Sequence, residues 1–233
     1  RTGGHDGHPG IVQALRERQV DRVRYAAPDR APLEVLQAGN AANGCVVSVP
    51  VAAEGRLELL WSVALPSVTT MRSQPVVAGD TVFLGSKGAH LLALDRRTGC
   101  VRWSLATEAP VHSALTLDAT PDGVATLFFA DEMATVYAVN ATNGQLRWKQ
   151  RVKWFPTSIV SAPATYFDGR LCVPLSSFEV AAAGLPTHEC CRTHGGIAAL
   201  DATTGNALWR FDTTAQASKT YVNRDGVQMW GPS

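Results

Sequence analysis

An all-β fold of repeated four-stranded blades, an incomplete β-propeller, is what this sequence predicts, on three observations. From Arg56 onward, short alternating runs of apolar and polar residues are separated by turn residues every 8–12 positions, the pattern of strands. Three segments superimpose: Ala93-Leu-Asp-Arg-Arg-Thr-Gly-Cys-Val-Arg-Trp103, Ala138-Val-Asn-Ala-Thr-Asn-Gly-Gln-Leu-Arg-Trp148 and Ala199-Leu-Asp-Ala-Thr-Thr-Gly-Asn-Ala-Leu-Trp209, with Leu57-Glu-Leu-Leu-Trp61 a partial fourth. Their tryptophans, Trp61, Trp103, Trp148 and Trp209, stand 42, 45 and 61 residues apart. A period of about 40–45 residues is that of a propeller blade.

Each copy has a physical reading. An apolar strand ends at Asp95, Asn140 or Asp201, whose side chain can cap the turn that follows. Thr-Gly or Asn-Gly supplies the positive φ of a tight hairpin, and the next strand delivers the tryptophan to pack between blades. In the first full blade, Gln74–Val77, Thr81–Gly85, His90–Asp95 and Val101–Thr107 read as its four strands. In the third, Ser161–Tyr166 and Arg170–Leu175 read as the first two, joined by an Asp168-Gly169 turn.

The chain divides into residues 1–55, a short helix and loop, and 56–233, the partial propeller of about three full blades. Ile11, Val12, Leu15, Val20 and Val23 would form the apolar face of that helix, and Pro28 and Pro32 end it. With 45% hydrophobic and 18% charged residues, the composition is that of a globular protein. A net charge of +1 without blocks of like charge argues against a nucleic-acid partner, and no run is long enough to span a membrane. The chain begins at Arg1, with no basic-then-apolar signal segment, and stops at Ser233 inside the fold pattern. An open arc leaves sheet edges unpaired, so a fragment of a longer protein is expected.

The long third interval holds about 16 residues more than a blade needs, between Ser176 and His194. Within it, Val173-Pro-Leu-Ser-Ser-Phe-Glu179 is followed by Glu189-Cys190-Cys191 and then by the returning repeat at Gly195. Adjacent cysteines can be two inert thiols, metal ligands, or a disulfide to each other. His188 and His194 flank the pair, so a zinc site is one alternative, although the usual Cys-x₂₋₄-Cys spacing is absent. Glu179, taken alone, reads as a solvated loop carboxylate. Of the five cysteines, Cys172 lies in a strand as a small buried residue, and Cys45 and Cys100 could pair with each other.

The Ala-Leu-Asp-x-x-Thr-Gly-x-x-x-Trp repeat resembles the blade signature of the pyrroloquinoline-quinone (PQQ) dependent alcohol dehydrogenase propellers, and it covers roughly residues 56–213. The Pro-x-Ser-Ser-x-Glu-Val and Glu-Cys-Cys-x-x-x-Gly run is most similar to the polyvinyl-alcohol dehydrogenase group of that family. The resemblance implies an eight-bladed ring in the full-length protein and PQQ with Ca²⁺ as cofactors. It implies Glu179 as the Ca²⁺ ligand, and Cys190 and Cys191 joined as a flat disulfide plate on one face of the quinone. Ser176, Ser177 and Arg192 would contact quinone oxygens, and Trp230 would supply the opposite stacking face. The threonine the family often carries before Ala-Pro is replaced by Ser161. The catalytic aspartate expected of the family lies beyond residue 233.

The function so implied is oxidation of alcohols, polyvinyl alcohol or other secondary alcohols, to carbonyls, with electrons passed to cytochrome c. A disulfide that must persist implies a periplasmic or extracellular location. No Cys-x-x-Cys-His haem motif is present. The alternative is a cofactor-free propeller serving as a protein-binding scaffold, such as an outer-membrane assembly factor. The Glu179 and Cys190-Cys191 insertion discriminates, because a scaffold has no use for it.

Overall fold

Three successive repeats close into three antiparallel sheets. The computed structural model describes residues 21–22, 61–65, 68 and 71–232. The first sheet orders β1 (Asp21–Arg22), β2 (Val76–Ala78), β3 (Thr81–Ser86), β4 (His90–Asp95) and β5 (Val101–Ala106) side by side. The second is a four-stranded meander of β6 (Thr116–Ala119), β7 (Ala125–Ala130), β8 (Thr135–Asn140) and β9 (Leu146–Arg151). In the third, β12 (Arg170–Ser177), β13 (Gly196–Asp201) and β14 (Ala207–Asp212) run in order, with β10 (Ser158–Ile159) and β11 (Thr165–Phe167) both pairing β12. A hairpin of β15 (Ala217–Val222) and β16 (Gln228–Pro232) follows. The architecture is the all-β propeller arrangement that the repeat predicts.

Burial explains why these runs are strands. In β7 all six residues are buried. Leu127 and Phe129 face a core shared with the first sheet, whereas Phe128 and Ala130 face a second core shared with the third. The middle sheet is therefore covered on both faces, and its strands read as near-continuous apolar runs because each face has its own neighbour.

The joint between blades follows from the repeat. Asp95 Oδ1 accepts the amides of Arg97 and Thr98, each at 3.0 Å, and Asp201 Oδ1 repeats this with Thr203 and Thr204. Gly99, Gly144 and Gly205 then take φ of +69°, +76° and +78°. A methyl added to any of them would meet the preceding blade's Trp61, Trp103 or Trp148 at 2.7 Å. The same three indoles donate to the carbonyls of Arg96, Ala141 and Ala202 at 2.7, 3.3 and 3.0 Å. Glycine is required twice at each joint, for its φ and for the ring that lies on it. Trp209, with no glycine turn resting on its ring among the described residues, is 47% exposed.

A second recurrent device escaped the sequence. Register slips between Ala93 and Leu94, Ala138 and Val139, and Ala199 and Leu200 leave Arg102, Arg147 and Leu208 as the extra residue of a bulge just before each tryptophan. Arg102 reaches Asp95 at 2.6 Å and Thr81 at 2.9 Å, and Arg147 donates to Thr120 and Thr126 at 2.6 Å and pairs with Asp122. Two guanidinium groups thus tie the last strand of a blade to its own sheet.

Several expectations need correction. Ser161–Ala164 is not a strand: Pro163 offers no amide to a ladder, and β10 takes the far end of β12 instead. Cys172 is half-buried and free. Asp21 and Arg22, which fall between Val20 and Val23 of the expected short helix, pair with Val77 and Val76 as a strand. The rest of that helix lies outside the described residues, as does Cys45; Cys100 is disulfide-bonded. No helix among the described residues is long and apolar enough to cross a membrane.

Candidate functional site

The extra residues of the third blade fold as a compact excursion between β12 and β13. Ser177, the last residue of β12, accepts the Glu179 amide at 3.0 Å, and Phe178 donates its amide to the Thr157 carbonyl at 2.8 Å. These two bonds turn the chain into α1 (Glu179–Ala182), a single helical turn. Two further turns, Leu185 to Ala182 and His188 to Leu185, bring the chain back toward Glu179. The four-residue helix is the one departure from strand and turn in this region, and the sequence, with Glu-Val-Ala-Ala-Ala there, left it as loop.

Cys190 and Cys191 are joined to each other in a disulfide across a cis peptide bond. Of the readings open to adjacent cysteines, the zinc alternative therefore loses its thiolates. His188 and His194 are also engaged elsewhere, with Glu179 at 3.2 Å and Asp212 at 2.9 Å. Cys190 is buried and Cys191 half-buried. Their backbone pairs with that of Trp230 in β16: the Cys191 amide donates to the Trp230 carbonyl at 3.0 Å, and the Trp230 amide to the Cys190 carbonyl at 2.6 Å. A residue almost forty positions downstream is thereby fixed beside the disulfide.

Glu179 is 4% exposed, so its charge needs compensation from the protein. Oε1 accepts from the Arg192 amide at 3.0 Å and from His188 Nε2 at 3.2 Å. Oε2 accepts from the Thr193 amide at 2.8 Å and from the Thr193 hydroxyl. Burial pushes this carboxyl up, but the donors from Thr193, Arg192 and His188 outweigh it and hold it below the ordinary glutamate value. Behind Thr193, its hydroxyl also contacts those of Ser177 and Thr157, which lie 3.1 Å apart.

The structure brings Glu179, Ser177, Cys190, Cys191, Arg192 and Trp230 into one region. Ser176 sits beside them on β12 with its side chain exposed. The Arg192 guanidinium lies 4.7 Å from the centre of the Trp230 ring and pairs with Glu189, and Lys219 Nζ lies 5.6 Å from the same ring. The Trp230 indole N–H is buried without an acceptor among the described residues. Adjacent to this cluster is a cleft of about 490 Å³ lined by Phe155, Pro156, Thr157, Glu179, His188, Glu189, Arg192 and Thr193.

Sequence reasoning missed Thr157 and Thr193, and took His188 for a metal-ligand candidate instead of a Glu179 partner. Only one signal pointed toward them: a buried carboxylate must find donors. Nothing in residue type says which amides those will be.

The comparisons with known proteins agree with this architecture. The family whose model matches is PQQ_2, described as outer membrane protein assembly factor BamB, over residues 47–185 and again over 123–231. The polyvinylalcohol dehydrogenase of Sphingopyxis sp. (strain 113P3) is 37% identical over 182 residues, 76% of this chain and 28% of that protein. The polyvinylalcohol dehydrogenase of Pseudomonas sp. is 34% identical over 183 residues, with the same two shares, 76% and 28%. This chain thus spans 28% of the length of both curated relatives. Among solved structures, the quinohemoprotein alcohol dehydrogenase from Comamonas testosteroni superimposes with a TM-score of 0.52 at 18% identity, over 67% of this chain and 23% of that one. At that identity the likeness is one of fold.

Proposed function

The chain belongs to the PQQ_2 propeller family and resembles its PQQ-dependent alcohol dehydrogenase members, and from that premise we propose that it forms part of the cofactor site of a quinoprotein alcohol dehydrogenase. The observation that carries this reading is the Cys190–Cys191 disulfide, built on an insertion in one blade and bonded by its backbone to Trp230. A scaffold needs no such group, and a vicinal disulfide is a flat, stiff surface suited to a planar ligand.

The residues present fit PQQ, a planar quinone that carries carboxylates. Trp230 offers an aromatic face and a buried indole N–H that lacks an acceptor among the described residues. Arg192 and Lys219 place two cations at that ring, complementary to carboxylates. Cys190 and Cys191 would provide the plate, Trp230 the stacking surface, and Arg192 and Lys219 the charge pairing, with Ser176 as an exposed hydroxyl at the edge. Ser177, also expected at the quinone, is instead engaged within the Glu179 network. When bound, PQQ supplies two-electron oxidation of an alcohol to a carbonyl. This chain's own residues hold, orient and desolvate the ring. The proton acceptor belongs to the remainder of the protein in this reading.

The substrate class is an alcohol, polyvinyl alcohol or another secondary alcohol, a reading supported by the two relatives at 37% and 34% identity. A cytochrome would take the electrons, and a periplasmic or extracellular location suits a disulfide that must persist. Calcium is left out of the reading, because the donors around Glu179 do not fit it. The description of the matching family, an outer membrane assembly factor, favours a second reading, a scaffold without cofactor.

One experiment separates the two. The intact protein is incubated with PQQ, and quinone retention and alcohol-dependent dye reduction are measured for wild type and for Cys190→Ser/Cys191→Ser. Stoichiometric quinone and activity in wild type, both reduced in the variant, are expected. A wild-type protein that retains no quinone and reduces no dye with any alcohol overturns the enzyme reading in favour of the scaffold.

A further inference from the structure

We propose that Glu179 is a positioning residue that clamps the Cys190–Cys191 segment, and that its carboxylate is not a divalent-cation ligand. A carboxylate has two oxygens and about four lone-pair directions. In Glu179 four donors occupy them: the Arg192 amide, His188 Nε2, the Thr193 amide and the Thr193 hydroxyl. A cation approaching either oxygen would meet the positive ends of N–H and O–H bonds already in place. To bind one, the loop would have to give up amide bonds in a buried setting and leave their donors orphaned, which is unfavourable.

The other carboxylate of the insertion is engaged as well. Glu189, the nearest carboxylate in sequence to the disulfide, is paired with Arg192.

What the four donors share is their place in the chain. His188 precedes Cys190 by two residues, and Arg192 and Thr193 directly follow Cys191. Glu179 therefore grips both flanks of the disulfide, while Trp230 holds its peptide from the β16 side. Bonds from amides to a charged, buried acceptor are among the stronger hydrogen bonds, so one side chain restrains a segment of six residues. Thr193 gives two of the four bonds and links the clamp to Ser177 and Thr157, hence to the end of β12 and the residue before β10. The clamp deepens the cofactor reading, since the restrained segment is the one proposed to face the quinone. Its test uses neither quinone nor substrate, so the two can fail separately.

The intact protein is compared with Glu179→Gln, Thr193→Val and Thr193→Ser by residue-resolved amide exchange and by Tb³⁺ luminescence, with Tb³⁺ standing in for Ca²⁺. The Glu179→Gln change puts an amide nitrogen where an acceptor is needed, and Thr193→Val removes the hydroxyl donor. Exchange at Arg192 and Thr193 is expected to rise at least about tenfold in Glu179→Gln, the scale of one lost bond to a charged group. Thr193→Val should rise similarly and Thr193→Ser should restore protection, with β7 amides unchanged throughout. Should Glu179→Gln not fold, the Thr193 pair carries the decision. Wild type should show no saturable Tb³⁺ emission that Glu179→Gln abolishes. Unchanged exchange in the variants, or Tb³⁺ binding in wild type that vanishes with Glu179, overturns the proposal.

Discussion

Gly144→Ala isolates what a blade joint is worth. Gly144 sits at φ +76°, and a methyl there would meet Trp103 ring atoms at 2.7, 2.7 and 3.1 Å. Two costs are superposed. Holding alanine in the left-handed region costs about 1–2 kcal/mol. Moving the indole off the turn adds an overpacking cost of about 1–3 kcal/mol, because Trp103 is also held by its bond to the Ala141 carbonyl and by contact with Phe83. The same sheet contains a control. Gly123, at the tip of the β6–β7 hairpin, has φ +79° and nothing within 4 Å of an added methyl. Gly123→Ala should therefore lose only the backbone cost, and Gly144→Ala about 2–5 kcal/mol in all. Urea unfolding of the intact protein, with m unchanged, reads both. In a Trp103→Ala background the Gly144→Ala loss should shrink to the Gly123→Ala value, a coupling that a double-mutant cycle measures. Equal losses at Gly144 and Gly123 in the wild-type background would refute the docking account of the repeat.

Two more outcomes follow from hydrogen-bonded polar groups. The Asp95 carboxyl lies well below its usual range chiefly through the bond from Arg102, and Asp201 is lowered chiefly by the Thr204 amide. Both are depressed in the folded state, so their stabilisation is complete above the unfolded value of about 3.9 and is lost as pH falls below it. The melting temperature should hold steady near neutrality and drop below about pH 4, with a shallower drop in Asp95→Asn; an identical acid profile in that variant would remove Asp95 from the account. Tyr137→Phe should cost about 1–3 kcal/mol in the same urea assay, since its hydroxyl donates to the fully buried Asp131 and accepts from the Glu108 amide; a loss under about 0.5 kcal/mol would show that neither bond contributes.

Much of the frame was legible because it is made of residue types. Tryptophan, glycine and the capping aspartate or asparagine each have a steric or hydrogen-bonding reason to stand where they do, and the reason recurs every blade. The bulge arginines were visible as letters but not as a device, since Arg102 and Arg147 acquire meaning only from the register slip that turns them back onto their sheets. At the site, the cysteine pair declared itself through adjacency and the glutamate through its place in the insertion. Its neighbours did not. Three of Glu179's four bonds come from positions after the disulfide, and two of those are backbone amides, which every residue but proline carries.

That contrast accounts for why the insertion is held differently from the blades around it. A blade is anchored by apolar area and by an indole resting on a glycine, and both neighbours must be present for that joint to form. The loop between β12 and β13 has no tryptophan of its own and exposes Phe178 and Leu185 at 60% each, so apolar burial cannot fix it. Its restraint must come from polar groups, and a polar anchor in a buried place has to be charged or multiply bonded to outweigh desolvation. Glu179 meets both conditions. A carboxylate used in this way is spent on holding the loop, which is why the resemblance that reads it as a metal ligand and the hydrogen bonds that surround it point to different roles for the same side chain.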